Sequence, residues 1–382
     1  MKKIFISTFG CKVNQYESQL IRELFEKNGY VCVNSPEEAD TIIINSCTVT
    51  DSSDRQCNSF INKFLHNNKE IILTGCYAKT SYDKIKKEFP KIKIILKEDL
   101  FKNTIQTIKS FDNHSRAFIK IQDGCNCFCS YCIVPFARNM LWSKPEDEII
   151  REISAIADNG YTEIVLTGIH IGKYENGISR LLKKILGSLK KDFRIRLSSI
   201  EVNEVDDELI SIMKDEPLRI CNHLHIPLQS ASDNVLKQMN RKYTLLDFDS
   251  VLKKLKKNIP DISLTTDVIC GFPCETADDF EQTRNFLKNA GFARLHVFPY
   301  SKRQGTKAFE LKQISEQTEI NKRVSELLNL DKILRKNFYS KFIGTTRKAV
   351  SLRGNQALTD NYLTVKNIPR QKGIFDVEIK PL

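Results

Sequence analysis

The sequence lacks the features that mark secreted, membrane-spanning and repetitive proteins. It has no run of the roughly 18 uncharged apolar residues that a membrane-spanning helix needs, no internal repeat and no low-complexity tract. Met1 to Lys3 lead directly into the alternating Ile4 to Ile6 pattern of a strand, instead of a basic and then apolar leader. These absences predict a cytoplasmic protein without a membrane anchor.

Cysteine is also too scarce for a disulfide scaffold. There are 12 in 382 residues, against the roughly 8–10% typical of short secreted scaffolds. In a reducing compartment, grouped cysteines indicate metal or redox sites before disulfides. The length allows two or three domains of roughly 100–200 residues each. The 59 Lys and Arg exceed the 47 Asp and Glu by 12, and this excess favours a polyanionic partner such as nucleic acid.

Strand-like and helix-like patterns alternate along most of the chain, which predicts an α/β fold. Over residues 1–112 they predict a doubly wound, mostly parallel sheet with strands at Lys3 to Thr8, Tyr30 to Val33, Thr41 to Asn45, Glu70 to Thr74 and Ile92 to Leu96. One helix is expected from Lys79 to Glu88. A polar stretch from Lys109 to Arg116 indicates the first domain boundary.

Residues 113–342 are expected to form a partial (β/α)6 barrel, whose site lies at the carboxyl ends of the strands. Its strands are predicted at Ala117 to Ile121, Glu163 to Leu166, Phe193 to Leu197, His223 to Ile226, Ile262 to Ile269 and Ala293 to Phe298. A long charged helix from Ser315 to about Phe342 closes it.

Residues 343–382 predict a small antiparallel β domain. Its strand-like runs are Lys348 to Leu352, Tyr362 to Val365 and Ile374 to Ile379. Seven basic residues outnumber three acidic ones, and such a balance suits phosphate neutralisation. The basic residues are Arg347, Lys348, Arg353, Lys366, Arg370, Lys372 and Lys380.

The densest chemical motif follows the first predicted barrel strand. Cys125, Cys129 and Cys132 have the spacing Cys-x3-Cys-x2-Cys, and three thiolates on one loop suit a 4Fe-4S cluster with one open iron. A zinc site is the competing interpretation, but no fourth ligand stands at a customary spacing. Cys127 lies inside the same loop and is interpreted as a spare thiol.

A second set of thiols is predicted to converge only after folding. Cys11, Cys47 and Cys76 each follow a predicted strand by two or three residues. In a parallel sheet these loops share the carboxyl edge, where ligands bind. The alternative is three unrelated buried cysteines.

The chain resembles the radical S-adenosylmethionine methylthiotransferases over nearly its whole length. The resemblance begins with the motif from Cys125 to Cys132 and the following Ile133-Val134-Pro135. Further matching segments are Asn45 to Val49, Thr74 to Cys76, Leu166 to His170, Arg196 to Glu201, His223 to Ser230, Thr265 to Ile269, Gly271 to Pro273 and Phe298 to Ser301.

This resemblance implies two 4Fe-4S clusters. Cys125, Cys129 and Cys132 would hold the one that works with S-adenosylmethionine, which supplies a radical able to remove the hydrogen at carbon 2 of adenine. Cys11, Cys47 and Cys76 would hold the auxiliary cluster that supplies sulfur. The sequences Gly10 to Ser18 and Gly168 to His170 resemble the subgroup that modifies N6-threonylcarbamoyladenosine in tRNA. Isopentenyladenosine and a ribosomal-protein aspartate are the alternative substrates.

Five residues near predicted strand ends are candidates for holding S-adenosylmethionine: Tyr131, Gly168, Glu201, Gln229 and Asp267. Loop packing is the alternative for Tyr131, and helix capping or a surface ion pair is the alternative for Glu201 and Asp267. His223 and His225 face one side of their strand, where hydrogen bonding is favoured over metal ligation. The segment from Ala137 to Lys144 departs from the family pattern, as do Ala231, Cys270 and Cys274.

The implied partners are the anticodon loop of tRNA, an electron donor such as flavodoxin or ferredoxin, and a sulfur donor. The C-terminal domain resembles a shortened form of the small β-barrel TRAM domain that binds RNA in this family. A two-cluster electron-transfer protein is the main rival from another functional class. The basic C-terminal domain and the polar residues at strand ends argue against it, because an electron carrier needs neither.

Overall fold

The computed structural model describes residues 1–102, 104, 106–111 and 115–381. The expected boundary between residues 112 and 113 lies outside this described part. Among the described residues, no helix combines the length and the apolar character that crossing a bilayer requires.

Buried β-branched runs build a parallel sheet from the N-terminal residues. Its strands are β1 (Lys3–Thr8), β2 (Val31–Cys32), β3 (Thr41–Ser46), β4 (Glu70–Gly75) and β5 (Lys93–Ile94), in the order β2-β1-β3-β4-β5. The order reverses between β1 and β3, and such a switch point opens a crevice at the carboxyl edge of a doubly wound sheet. The predicted fold of this part is confirmed.

Helices cover this sheet. They are α1 (Lys12–Lys27), α2 (Asp51–Phe64), α3 (Cys76–Thr80), α4 (Tyr82–Glu88) and α5 (Lys97–Leu100), with a 3-10 turn at Pro36–Glu38. The single helix expected from Lys79 to Glu88 is two helices, because Ser81 leaves the helical region at φ −127°. The first of them, α3, begins directly at Cys76.

Six parallel strands form the open barrel. The strands are β6 (Ala117–Asp123), β8 (Glu163–Gly168), β9 (Arg194–Leu197), β10 (His223–His225), β11 (Ser263–Cys270) and β12 (Arg294–Pro299), and β7 (Trp142–Ser143) pairs antiparallel with β6. Bridges from Ile195 to Ile220 and from Ser199 to His225 join the β9 and β10 edges. The predicted partial barrel is confirmed.

Eight helices are described in this part of the chain, four of which begin at a side-chain cap. They are α6 (Val134–Ala137), α7 (Glu146–Asp158), α8 (Ile178–Ser188), α9 (Asp207–Asp215), α10 (Asp233–Gln238), α11 (Leu245–Asn258), α12 (Ala277–Asn289) and α13 (Gln317–Ser340). Reciprocal capping boxes at Thr244 and Thr276 satisfy the first amides of α11 and α12. Short 3-10 turns lie at Ile171–Lys173, Val202–Glu204 and Lys307–Phe309.

The C-terminal residues form an antiparallel sheet of four strands, one more than the sequence patterns indicate. They are β13 (Thr346–Leu352), β14 (Gln356–Thr359), β15 (Thr364–Lys366) and β16 (Ile374–Glu378), in the order β15-β14-β13-β16. The additional strand β14 follows a tight turn at Gly354 and Asn355, both with positive φ. Such residues suit hairpin turns, which require left-handed backbone.

Buried arginines attach this sheet to the barrel. Arg194 donates to the carbonyl oxygens of Lys348 and Leu358 at 2.9 and 3.1 Å, and Arg196 donates to those of Thr359 and Asp360 at 2.9 and 3.0 Å. Both guanidinium groups also pair with the buried carboxylate of Glu163. Burial would raise the pKa of Glu163, but the arginines outweigh it and hold the pKa well below its ordinary value.

Candidate functional site

The sheet register brings Cys11, Cys47 and Cys76 to one edge. Thr8 of β1 is paired with Asn45 of β3, and Asn45 is paired with Thr74 of β4, so these residues form one row across the sheet. The three cysteines lie two or three residues beyond that row, in adjacent loops at the carboxyl edge. Cys11 and Cys47 flank the switch point between β1 and β3. The predicted convergence of these loops is therefore present.

Two glycines let the loops approach closely. A Cβ on Gly10 would lie 2.6 Å from the Cβ of Cys47 and 3.0 Å from its Sγ, and Gly10 has φ +119°. A Cβ on Gly75 would lie 2.3 Å from the carbonyl oxygen of Ser46. Any larger residue at these positions would push the three cysteine loops apart.

Asparagine side chains connect the segments at this edge through hydrogen bonds. The Asn14 amide donates to Asn45 Oδ1 at 3.2 Å and to the Ser46 carbonyl at 3.0 Å, and its own Oδ1 accepts from the Cys11 thiol at 3.2 Å. Cys11 is exposed, whereas Cys47 and Cys76 are buried. Burial raises the pKa of the Cys47 thiol to about 11, and the neighbouring Cys76 and Cys11 act in the same direction.

The loop after β6 carries the second set of thiols. Cys125, Cys129 and Cys132 are all half-buried, and a turn closed by the Cys132 amide on the Cys129 carbonyl at 3.0 Å holds two of them. Burial raises the pKa of Cys132 to about 12. The Arg241 guanidinium donates to Cys129 Sγ at 3.4 Å and pairs with Glu201. The protein thus presents a cation beside one of these sulfurs.

Cys127 is not isolated within this loop. Its Sγ lies 3.4 Å from His170 Nδ1, and Cys125 Sγ lies 3.7 Å from the same nitrogen. The other ring nitrogen, Nε2, lies 2.7 Å from Glu204 Oε1. The hydrogen bond with Cys125 and burial raise the pKa of Cys127 to about 12. The Nδ1 atom of His170 therefore lies within hydrogen-bonding distance of both thiols.

The spacing of the sulfurs fits a cluster better than a single ion. Among the described residues, neither predicted cysteine trio gathers its three Sγ atoms within 4.8 Å of one another. One tetrahedral zinc ion with Zn–S bonds of about 2.3 Å would need them closer than this. A 4Fe-4S cluster takes each thiolate on a different iron, so it does not require the sulfurs of a trio to lie this close.

Arg138 connects the two cysteine sites. Its guanidinium donates to both carboxylate oxygens of Glu17 at 2.9 Å, to those of Asp123 at 2.8 and 2.9 Å, and to Cys76 Sγ at 3.3 Å. Glu17 belongs to α1 of the N-terminal sheet, and Asp123 ends the strand before Cys125. The two sites therefore share one buried charge network.

Two of the five candidate cofactor residues are held by packing. Tyr131 packs into an apolar cluster with Met239, Phe272 and Ala308. Gly168 ends β8, where a Cβ would lie 3.0 Å from the Gln122 carbonyl oxygen. Its close approach is therefore to the neighbouring strand.

The other three candidates lie at strand ends with polar partners. Glu201 stands at the N-cap of the 3-10 turn Val202–Glu204 and pairs with Arg241, whose side chain is only 5% exposed, so this is not the surface ion pair of the alternative. Gln229 has φ +66°, and its backbone bridges that of Val268. Asp267 accepts hydrogen bonds from His225 and His296, which hold its pKa well below the ordinary value although burial opposes this.

Sequence reasoning missed the residues that surround the thiols. Arg138 lies in the segment that departs from the family pattern, and only folding places it against Cys76. Arg241 has no motif of its own and stands more than a hundred residues from Cys129. His170 belongs to a segment that resembles the subgroup motif. Its position two residues after the end of β8 is the signal that could have assigned it a role.

Two family models match the chain. Residues 3–97 match the uncharacterized protein family UPF0004, and residues 119–287 match the radical SAM superfamily. The threonylcarbamoyladenosine tRNA methylthiotransferase MtaB of Bacillus subtilis (strain 168) is 39% identical, over 90% of this chain and 83% of that protein. The chain belongs to the radical SAM methylthiotransferase family. Membership of this methylthiotransferase family implies a 4Fe-4S cluster and S-adenosylmethionine.

Other relatives match this methylthiotransferase over similar shares of its length. The MtaB protein of Thermotoga maritima is 37% identical, over 92% of this chain and 87% of its own. The tRNA-2-methylthio-N(6)-dimethylallyladenosine synthase of Thermodesulfovibrio yellowstonii is 33% identical, over 88% of this chain and 85% of its own. The radical S-adenosylmethionine methyltransferase TsrM from Kitasatospora setae superposes with a TM-score of 0.57 over 78% of this chain and 73% of its own, at 11% identity, which supports the fold.

Proposed function

We propose that this methylthiotransferase inserts a methylthio group at carbon 2 of N6-threonylcarbamoyladenosine next to the anticodon of tRNA. The observation that carries the proposal is the pair of cysteine trios, each at the carboxyl edge of its own parallel sheet, joined through Arg138. Relatives bearing the name of this activity match at 33–39% identity over most of the chain. The proposed site of action is the cytoplasm.

We assign the first cluster to Cys125, Cys129 and Cys132. When bound, the cluster and S-adenosylmethionine supply the one-electron chemistry that removes a hydrogen from an unactivated carbon. Arg241 places positive charge beside Cys129 Sγ, which favours the thiolate form that an iron ligand needs. Glu201 orients that guanidinium through their ion pair. Tyr131, Gly168 and Gln229 remain proposed contacts of the cofactor, whereas the Asp267 carboxylate is engaged by His225 and His296.

The second cluster is proposed on Cys11, Cys47 and Cys76, where it would hold the sulfur to be transferred. Burial excludes water from Cys47 and Cys76, while the exposed Cys11 leaves one side of the site open. An opening is required, because a sulfur atom must leave this site and be replaced. The sulfur donor and an electron donor such as flavodoxin or ferredoxin are therefore proposed partners.

Exposed aromatic and basic side chains support tRNA as the substrate. Phe128 lies within the cysteine loop and Phe136 follows it, with 51% and 48% of their surface exposed, and exposed rings beside a site suit base stacking. In the C-terminal sheet, Arg347 and Lys348 are engaged in ion pairs. The remaining exposed cations include Lys366 at the end of β15 and Arg370 and Lys372 in the segment after it, for which the described residues provide no ion pair.

The proposed domains are 1–112 for the auxiliary cluster, 113–342 for the radical SAM barrel and 343–382 for a shortened TRAM-like RNA-binding domain. Tyr362 of the last domain stacks on the barrel residue His223 at 4.1 Å between ring centroids. The C-terminal domain would thus hold tRNA in a fixed position relative to the barrel.

Mass spectrometry of tRNA nucleosides tests the substrate. A strain lacking the gene should lose the methylthio form of threonylcarbamoyladenosine, and the wild-type gene should restore it. A Cys129→Ala gene should not restore it, whereas Cys32→Ala, a cysteine outside both trios, should. Loss of a methylthio isopentenyladenosine instead would identify the other tRNA substrate and overturn the proposal.

Anaerobic reconstitution tests the two clusters. Wild-type protein should bind about eight iron and eight sulfide per chain if two 4Fe-4S clusters form. The triple variant of Cys11, Cys47 and Cys76 to alanine should retain about four of each, and the Cys32→Ala control should retain the full content. Full iron content in the triple variant would refute the auxiliary assignment.

A further inference from the structure

Two histidines and one aspartate converge on the inner face of the barrel, apart from both cysteine trios. His225 ends β10, Asp267 lies on the adjacent β11, and His296 lies on β12 beyond it. The strand register pairs Asp267 directly with His296. Three neighbouring strands therefore each contribute one side chain to the same point.

The two distances from Asp267 match those between the ligands of one metal ion. Asp267 Oδ1 lies 3.2 Å from His225 Nε2 and 3.2 Å from His296 Nδ1, and one ligand atom from each of the three residues lies within 4.8 Å of the other two. An ion bound at about 2.1 Å from each donor holds neighbouring donors about 3.0–3.4 Å apart at angles of about 90–110°.

The surroundings of His225 suit a ligand. Its other ring nitrogen, Nδ1, lies 2.9 Å from the hydroxyl of Thr265, and the same hydroxyl lies 3.2 Å from His223 Nε2. A ligating histidine usually has its second nitrogen fixed by such a partner, because the partner sets the tautomer and the ring orientation. With an ion bound, Thr265 would accept from Nδ1–H, and the lone pair of Nε2 would bind the ion in place of the hydrogen bond from Nε2 to Asp267.

The site is open on one side. The side chains of Asp267 and His296 are 26% and 33% exposed, while that of His225 is 11% exposed. An ion held by these three groups would keep free coordination positions toward the barrel interior. Two imidazoles and one carboxylate with open positions are typical of mononuclear iron(II) sites, and imidazole and carboxylate ligands also suit manganese and zinc.

We propose that His225, Asp267 and His296 bind a mononuclear divalent transition-metal ion inside the barrel, in addition to the iron–sulfur clusters. The open positions of the ion accept an oxygen ligand. A hydrogen-bonded trio without a metal is the alternative, and it predicts no ion binding.

Manganese titration of the full-length, cluster-loaded protein tests the site. Occupied clusters prevent the six ligand cysteines from competing for the ion, and oxidised 4Fe-4S clusters contribute no electron paramagnetic resonance signal. The signal of free Mn²⁺ should fall by about one equivalent per chain in the wild-type protein. Asp267→Asn and His296→Gln should abolish this binding, whereas the controls Asp249→Asn and His66→Gln, both outside the trio, should retain it.

Iron and sulfide contents equal to wild type establish that each variant is folded. If the wild-type protein binds no more Mn²⁺ than Asp267→Asn does, the proposal is wrong, and binding that persists in both trio variants overturns it too. Failure of the proposed function would be distinct, because it would appear in the nucleosides or the iron content while Mn²⁺ binding stayed intact.

Discussion

Replacement of Arg138 by methionine should destabilise the protein strongly, because it leaves two buried carboxylates without their shared partner. The guanidinium is 5% exposed and makes four hydrogen bonds of 2.8–2.9 Å to Glu17 and Asp123. Methionine has a similar apolar stem, so the change removes charge while keeping most of the packing.

The expected loss of stability depends on the cations that remain beside the two carboxylates. Removing one partner of a buried ion pair costs about 3–5 kcal/mol. Lys120 still lies 3.6 Å from Glu17 and 3.2 Å from Asp123, and Lys97 still pairs with Glu17. We therefore expect the lower end, about 3 kcal/mol, which is roughly a hundredfold in the unfolding equilibrium. The melting temperature should fall by about 6 °C.

Thermal melts of the cluster-free proteins measure this loss without a contribution from iron. Arg138→Lys should lie between wild type and Arg138→Met, because an ammonium keeps the charge but loses the two-pronged geometry. In the double variant Glu17→Gln with Arg138→Met, the loss should be smaller than the sum of the two single losses. A melting temperature of Arg138→Met within about 1 °C of wild type would show that this network does not compensate buried charge.

Three further predictions concern the acid stability, the auxiliary site and the substrate. Cations outweigh burial and lower the pKa of Glu17 from 4.5 to about 2. The stability that the ionised carboxylate contributes is therefore complete above pH 4.5 and lost toward pH 2. The urea unfolding midpoint of Glu17→Gln should fall less steeply over that range than the midpoint of the wild-type protein. Gly10→Ala should lose about half of the reconstituted iron, since its Cβ would clash with Cys47, whereas Gly29→Ala, with nothing within 4 Å, should lose none. Phe136→Ala should raise the KM for tRNA about tenfold with kcat unchanged, and Phe136→Tyr should not.

The fold was largely predictable, because strand-forming runs and helix patterns alternate with clear boundaries. The Ile42 to Ile44 run and the strand from Glu163 are buried on both faces, as expected for parallel strands. Strand β14 was missed because Gln356 to Thr359 is short, and its pairing depends on the hairpin turn before it. The helix from Lys79 was misplaced because α3 begins at Cys76 directly after β4, and the break at Ser81 carries no glycine or proline to signal it.

The candidate site was predictable where ligands are close in sequence or follow strands. Cys125, Cys129 and Cys132 needed only their spacing, and Cys11 needed only the geometry of a parallel sheet. The role of Arg138 could not be predicted in this way, because its partners are 15, 62 and 121 residues away in the sequence. Long-range charge networks leave no periodic pattern in a sequence.

The attachment of the C-terminal sheet through main-chain carbonyl oxygens means that the sheet is not a removable tail. Truncation after α13 would remove the four main-chain acceptors of Arg194 and Arg196 and leave these arginines with their pairs to Glu163. Buried donors that lose their acceptors cost about 1–3 kcal/mol each, and more when charged. The arginine contacts themselves set no side-chain requirement, because carbonyl oxygens are common to every residue, whereas Ala349 and Ala357 are fixed by burial in the core of the sheet. The exposed residues proposed to face RNA can thus change without removing these contacts.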